Sequence, residues 1–324
     1  GARHRGLLEH RWTGFEVELD VYPNLRAAGI LLIPKDLKPG ERRPVVVCQH
    51  GRDGFPQRLI EDGYTAYNNT ASKLADRGFI VYAPYNPYRG EDKYRWLVRK
   101  ATNVGKSMFS FIISQHDQTL RWLETLPFID KDRIAFYGLS FGGETAMRVP
   151  SVLERYCLSI CSGDFGDYSR KVVDTHFIRG CMNSMEWEIP VFNMGSTFSH
   201  AEMAYLIFPR PFMVERGHDA EEQRRPIDRH PRPVRGDQHV RLQQRLFLLA
   251  EILQARGADL LPRLEQHLQV EAELAAARPQ HRLDRGEVDG VLALVVGGPA
   301  AVDFLVFSGN NPGVQARAPL LFLA

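Results

Sequence analysis

The sequence predicts an α/β protein with a doubly wound, mainly parallel sheet. Two continuous apolar runs, Pro44–Cys48 and Phe79–Ala83, have the length of strands that are buried on both faces. Segments with helical periodicity separate such runs along the chain. A Gly-rich turn at residues 138–142 joins an apolar run to a helical segment. Strands that alternate with helices form right-handed crossovers, so both faces of the sheet are expected to be covered.

The first predicted elements are two strands around a turn. Glu16–Val21 alternates polar and apolar residues, and Ile30–Ile33 ends at Pro34. The remaining elements follow from apolar runs, helical periodicity and Gly or Pro at their ends. In chain order they are strand Pro44–Cys48, helix Thr70–Arg77, strand Phe79–Ala83, helix Met108–Leu126, strand Ile134–Tyr137, a helix from about Gly142, strand Leu158–Cys161 and strand Pro211–Glu215.

Composition places the chain among ordinary globular proteins and excludes some partners. Of its 324 residues, 44% are hydrophobic and 25% are charged, with a formal net charge of +2. This balance gives no electrostatic reason to expect nucleic acid or an anionic membrane as a partner. The longest apolar run, Val291–Val302, is too short to span a membrane.

The composition changes abruptly near residue 220. Residues 1–219 contain 43 Lys, Thr, Tyr, Trp, Met and Cys residues, and residues 220–324 contain none. We therefore predict an enzyme-like core over 1–219, with an irregular, lid-like insertion at 165–205, and a distinct tail over 220–324. The tail is hypothesised to be out of frame or unrelated, although Leu242–Leu274 has helical periodicity and Val291–Val295 has the pattern of a strand. The C-terminal strand and helix of the sheet are left open.

The motif Gly138-Leu139-Ser140-Phe141-Gly142 is the strongest chemical signal in the sequence. G-x-S-x-G between a buried strand and a helix is the pattern of a nucleophile elbow, which exposes a serine hydroxyl at the sheet edge. Acyl transfer then needs N–H donors for the oxyanion. We expect one from the Phe141 amide and one from the loop that begins at His50-Gly51, with Arg52 as the candidate and Gly51 as the alternative.

The segment from Gln118 to Gly143 resembles the α/β-hydrolase enzymes, in particular the acetyl-xylan-esterase, dienelactone-hydrolase and prolyl-oligopeptidase-like branch. His50-Gly51 and the run Ala83–Gly90 fit the same pattern. The resemblance covers about residues 11–219. It implies the α/β-hydrolase fold and serine chemistry, but its motifs do not specify a substrate.

The resemblance also implies an acid and a histidine after the serine. Asp219 is the candidate acid because it follows the strand Pro211–Glu215, although strict register falls on Ala220. Asp164 and Glu215 are the alternatives. The base is harder to place, and His281 is a candidate because it follows a loop-like Pro-Gln pair, although helix rather than strand is predicted before it. The other histidines of the tail are His230, His239 and His267.

Together these residues favour a serine hydrolase that cleaves a carboxylic ester of a carbohydrate or small molecule through an acyl-enzyme, with no metal or other cofactor. Two alternatives stay open: a serine peptidase of the oligopeptidase-like type, and a catalytically defective hydrolase-fold module that lacks its histidine. The sequence leaves the oligomeric state and the compartment open. The chain begins without Met, so we expect its N-terminus to be incomplete.

Overall fold

The computed structural model describes residues 11–64, 66–87, 91–176, 180–183, 190–215, 292–298 and 301–307. The chain divides into two compact units, Gly1–Phe212 and Met213–Ala324. In the first unit six strands lie in the order β1-β2-β4-β3-β5-β6. The three central pairings, β4 with β3, β3 with β5 and β5 with β6, are parallel. The predicted α/β class with a mainly parallel sheet is therefore confirmed.

The elements have the following bounds. The strands are β1 Trp12–Tyr22, β2 Leu25–Pro34, β3 Arg43–Gln49, β4 Ile80–Pro84, β5 Ile129–Leu139, β6 Leu158–Ser162, β7 Phe212–Glu215, β8 Leu292–Gly298 and β9 Ala301–Phe307. The helices are α1 Gln57–Ile60, α2 Thr70–Asp76, α3 Glu91–Asn103, α4 Met108–Leu123, α5 Phe141–Arg148, α6 Tyr168–Val173 and α7 His200–Ile207, with one 3-10 turn at Met194–Ser196.

The predicted N-terminal hairpin is present as β1 and β2, which pair antiparallel with Glu16 opposite Ile30. β1 lies at one end of the strand order. Its exposed positions alternate with half-buried ones and include Glu16, Glu18 and Asp20. β2 then pairs antiparallel with β4, so the hairpin extends the parallel part of the sheet by two strands.

The parallel strands carry the core, as their continuous apolar runs predict. All five residues of β4 and of β6 are buried. One cluster joins β3, β4 and β5 to α4 and α5 through side chains such as Ile80, Leu120 and Phe136, each at 0% exposure. Burial on both faces explains why these strands read as unbroken apolar runs rather than as alternating ones.

Helix α3 was not predicted from the sequence. Its buried or half-buried apolar residues are Tyr94, Leu97, Val98 and Ala101, which have the spacing of one helical face and pack against or near the core. The charged residues between them, Arg95, Arg99 and Lys100, obscure this pattern. The helical periodicity of these apolar residues could nevertheless have been recognised in the sequence.

The expectation that residues 165–205 are irregular was wrong in part, because this expected insertion contains α6 and most of α7. Each helix begins at a side-chain cap: Asp167 accepts from the Arg170 N–H at 3.0 Å, and Ser199 forms a capping box with Glu202. The Ser-x-x-Glu signature could have been recognised in the sequence. A small cluster of Tyr168, Cys181 and Met194 gives the insertion its own core.

In the second unit the structure describes the end of β7 and an antiparallel pair, β8 and β9, with Leu292 opposite Phe307. β8 confirms the strand expected at Val291–Val295, and β9 is an addition to it. The helix expected at Leu242–Leu274 lies outside the described residues. Among the helices that are described, none has the length and apolarity needed to cross a membrane.

Candidate active site

Ser140 stands between the end of β5 and the first residue of α5 in a left-handed backbone conformation, with φ 60° and ψ −120°. Such a conformation costs a non-glycine residue about 1–3 kcal/mol and persists only where the surroundings enforce it. The Ser140 N–H donates to the Ser162 carbonyl at 2.7 Å, and the Glu144 N–H donates to the Ser140 carbonyl at 3.0 Å. The side chain is exposed and does not cap the helix, so its hydroxyl is accessible to a reactant.

The glycines around Ser140 are required by backbone crowding. A Cβ on Gly138 would lie 1.9 Å from the carbonyl oxygen of Gly142, and one on Gly142 would lie 2.2 Å from that of Gln49. A Cβ on Gly143 would lie 2.5 Å from the Ser162 carbonyl oxygen. The spacing of the glycines thus reflects a turn where β5, α5 and the ends of β3 and β6 meet so closely that these positions have no room for a side chain.

The loop after β3 lies against this turn. A Cβ on Gly51 would be 3.1 Å from the Leu139 carbonyl oxygen and 3.2 Å from Ser140 Cβ. The Gly51 amide donates to the hydroxyl of Tyr67 at 3.0 Å. This amide, the alternative oxyanion donor, is therefore engaged with a side chain that the sequence did not single out.

His50 fixes the start of the loop through both ring nitrogens. The Asn86 N–H donates to Nε2 at 3.3 Å, so Nε2 is the acceptor and Nδ1 carries the proton. Nδ1 in turn donates to the Gly51 carbonyl at 2.8 Å. The ring is fully buried, and a Cβ on Gly54 would lie 2.7 Å from it. The His-Gly pair therefore acts structurally, by tying the loops after β3 and β4 together.

The two expected oxyanion donors lie in separate segments of the chain. Phe141 is the first residue of α5, where amides have no acceptor within the helix. Arg52 lies in a turn closed by the Gly54 N–H, which donates to the Gly51 carbonyl at 3.2 Å. The Arg52 guanidinium extends to Asp53, with Nε 3.7 Å from Oδ2. The Phe141 and Arg52 assignments stay predictions.

One turn beyond Ser140, α5 carries a buried ion pair. Glu144 and Arg148 are 1% and 5% exposed, and their carboxylate and guanidinium groups are in contact. The guanidinium also lies 4.5 Å from the ring centroid of Phe109 and 5.8 Å from that of Tyr168. This pair therefore joins the helix of the nucleophile to α4 and to the insertion.

Asp164, an alternative acid, follows β6 and belongs to the same charged region. Its carboxylate contacts the Lys171 ammonium of α6. Burial, and then the nearby Glu144 carboxylate, raise the pKa of Asp164 to about 8, although Lys171 and Arg148 oppose this shift. Asp164 is thus engaged with Lys171, whereas a triad acid must hold a histidine.

The remaining candidates fall at or beyond the end of β7. Glu215, the other alternative acid, is the last residue of β7 and is 3% exposed. Asp219 and His281 lie outside the described residues, as do the other histidines of the tail. The acid and the base therefore stay predictions from sequence.

Four histidines lie in the described part of the chain, and none of them forms a hydrogen bond to Ser140. His50 is engaged as above, and the side chain of His176 is 96% exposed. His116 stacks on Phe136 at 5.0 Å between ring centroids, and burial lowers its pKa to about 3. His200, where burial also lowers the pKa to about 3, accepts from the Gly166 N–H at 3.2 Å.

Within the same described ranges, no group of three or more His, Cys, Asp or Glu side chains is arranged to hold a metal ion. The described geometry offers an exposed serine hydroxyl at a helix N-terminus, beside a loop of backbone amides and a half-buried phenol, that of Tyr67.

Comparison with known proteins identifies a matching family. The model of the Abhydrolase family matches residues 9–225, which is about two thirds of the chain. The match confirms the resemblance found in the sequence. No curated protein matches the chain.

Solved structures with a similar fold include a proposed acetyl xylan esterase from Bacteroides fragilis, with 20% identity and a TM-score of 0.55 over 66% of this chain and 61% of that one. The chain thus spans about three fifths of that protein's length. The acetyl xylan esterase of Paenibacillus sp. R4 has 20% identity and a TM-score of 0.46 over 64% and 65% of the two chains. A proposed dipeptidyl aminopeptidase IV from Bacteroides ovatus has 16% identity and a TM-score of 0.40 over 57% and 25%. At such identities the first of these shows the shared fold alone.

Proposed function

Because the chain belongs to the Abhydrolase family, we propose that it is a serine hydrolase that cleaves carboxylic esters of a carbohydrate or small molecule. The observation that carries the proposal is the conformation of Ser140. Holding a serine at φ 60° with an exposed hydroxyl, in a turn whose glycine positions have no room for a Cβ, costs stability. A serine with a purely structural role would not require that conformation.

In the proposed reaction, Ser140 Oγ attacks the ester carbonyl carbon while its proton passes to a histidine base. The C=O electron pair moves to oxygen, where the Phe141 and Arg52 amides donate to it. The alcohol leaves with the proton from the histidine. Water then attacks the acyl-enzyme by the same steps and releases the acid. Asp219 and His281 are the proposed acid and base, with Asp164 and Glu215 as further acids.

An ester is proposed as the substrate in preference to a peptide. Short acyl groups are the simplest test, since they depend least on the insertion. The peptidase alternative predicts the reverse preference.

Two assays test the proposal: hydrolysis of p-nitrophenyl acetate and labelling by a fluorophosphonate. The variant is Ser140→Ala. The matched control is Ser169→Ala, because Ser169 is an exposed serine of α6. We expect Ser140→Ala to abolish labelling and lower kcat about 10⁴-fold or more, with Ser169→Ala unchanged. Faster cleavage of an aminoacyl p-nitroanilide would support the peptidase. An unlabelled wild-type chain would support the defective module.

A further inference from the structure

We propose that the Tyr67 hydroxyl donates a hydrogen bond to the oxyanion that forms when Ser140 attacks a substrate. This inference rests on the proposed function of Ser140. Tyr67 lies 16 residues beyond Gly51 in the chain, in the turn before α2, and no pattern in the sequence connects it with the nucleophile.

The position of the hydroxyl is the first argument. The point where a Cβ of Gly51 would be is 3.3 Å from Tyr67 Oη and 3.2 Å from Ser140 Cβ. The phenol and the nucleophile therefore border the same small space. That space is open only because residue 51 is a glycine.

The second argument is the direction of the hydrogen bond that is already present. Tyr67 Oη accepts the Gly51 N–H at 3.0 Å. A phenol oxygen that accepts one hydrogen bond still has its own proton to donate. The Gly51 amide, which would otherwise be a backbone donor at this edge, is thus bonded to a hydroxyl that can itself donate.

The third argument is that Tyr67 is held in place and neutral. Its N–H donates to the Tyr64 carbonyl at 3.0 Å, and its carbonyl accepts from the Thr70 N–H at 3.1 Å. Burial raises the pKa of Tyr67, an effect larger than the opposing ones of the Gly51 N–H and of the Arg58 cation. The phenol therefore keeps its proton at neutral pH. A fixed donor has no reorganisation to undergo when charge develops, which is the basis of oxyanion stabilisation.

Within the reaction, the Ser140 Oγ–carbon bond forms and the carbonyl electron pair moves to oxygen. That oxygen then accepts from Tyr67 Oη–H in addition to a backbone amide. The proton of Tyr67 is shared but not transferred, and the carbonyl re-forms when the alcohol leaves.

The experiment compares Tyr67→Phe with Tyr64→Phe, a tyrosine of the same loop whose ring packs on Phe55 and Arg58. Both substitutions keep the ring and remove only a hydroxyl. With p-nitrophenyl acetate we expect Tyr67→Phe to lower kcat about 10²-fold with little change in KM, as for loss of one oxyanion donor. Labelling by the fluorophosphonate should slow in parallel, and Tyr64→Phe should behave as wild type.

A kcat of Tyr67→Phe that stays within a few fold of wild type would overturn the inference, as would an equal fall in both variants. A wild-type chain that does not label would overturn the proposed function and this inference together. If Tyr67→Phe does not fold, the crystal structure of the wild-type adduct with phenylboronic acid decides. Tyr67 Oη should lie about 3 Å from a boronate oxygen, and a clearly longer distance would contradict its role.

Discussion

The turn at Ser140 and the charged region one helical turn later are built on opposite principles. Around Ser140 three glycines allow carbonyl groups to approach where side chains would collide. Around Glu144 and Arg148, by contrast, the space is filled by charged side chains that are buried and paired, with Asp164 and Lys171 beside them. The elbow requires that side chains be absent, whereas the charged region requires that each charged side chain have its partner.

The difference shows how the fold can hold a strained serine. The glycines of the elbow carry no side chains that could stabilise it, so its shape depends on the elements around it. The Glu144–Arg148 pair begins in the first turn of α5 and reaches α4 and the insertion through Phe109 and Tyr168. We infer that the charged region anchors the helix whose N-terminus the elbow forms.

The largest effect is expected where a side chain enters the elbow. Gly138→Ala places a Cβ 1.9 Å from the Gly142 carbonyl oxygen. Neither the strand that carries the Cβ nor the helix that carries the carbonyl can move far enough to relieve this collision. We expect a loss of about 4 kcal/mol or more in the free energy of unfolding, measured by urea denaturation. Gly195→Ala, where the nearest neighbours would be 4.0 Å away, is the matched control. Equal stability of the two variants would contradict the crowding argument.

The next effect tests the buried ion pair. Arg148→Met leaves the Glu144 carboxylate buried without its cation, which costs about 3 kcal/mol or slightly more. The double variant Glu144→Gln/Arg148→Met should recover most of this loss in the same denaturation assay. Arg121→Met, which breaks an exposed pair with Asp117 (Nε to Oδ2 2.9 Å), should cost less than about 1 kcal/mol. A loss from Arg148→Met no larger than that from Arg121→Met would refute the anchoring role.

The smallest effect concerns pH. The folded-state pKa of Asp164, about 8, is above its ordinary value, so its contribution to stability is full at low pH and declines as pH rises towards 8. We expect the wild type to lose about 2 kcal/mol of unfolding free energy between pH 5 and 7 relative to Asp164→Asn. Asp174→Asn, at an exposed end of α6 where the Asp174 pKa is lowered, should keep the wild-type slope. Identical slopes for wild type and Asp164→Asn would exclude this titration.

The central strands were predicted well from the sequence because a strand that is buried on both faces consists mainly of apolar residues. Val45, Val46 and Val47, for example, are all at 0% exposure. The elbow was also predicted, because Gly138 and Gly142 must be glycine for reasons local to the turn. In both cases the residue type is determined by its immediate surroundings, so the local sequence pattern was sufficient to predict the structure.

Contacts between distant segments could not be predicted in the same way. Tyr67 meets Gly51 across 16 residues, and Asp164 meets Lys171 through a loop whose path no periodicity reveals. The role of His50 was also missed: its residue type suggested a motif, but its ring serves to join two loops. These features depend on tertiary placement, for which the sequence carries no local signal.

The first strand has a consequence for self-association. β1 stands at the end of the strand order, and a strand in that position offers backbone groups to which another chain could add by pairing. Glu16, Glu18 and Asp20 occupy alternate exposed positions along it. A second copy aligning there would bring carboxylates of like charge together, which disfavours strand addition. The acidic residues of β1 thus oppose edge-to-edge aggregation at the end of the sheet remote from the elbow strand.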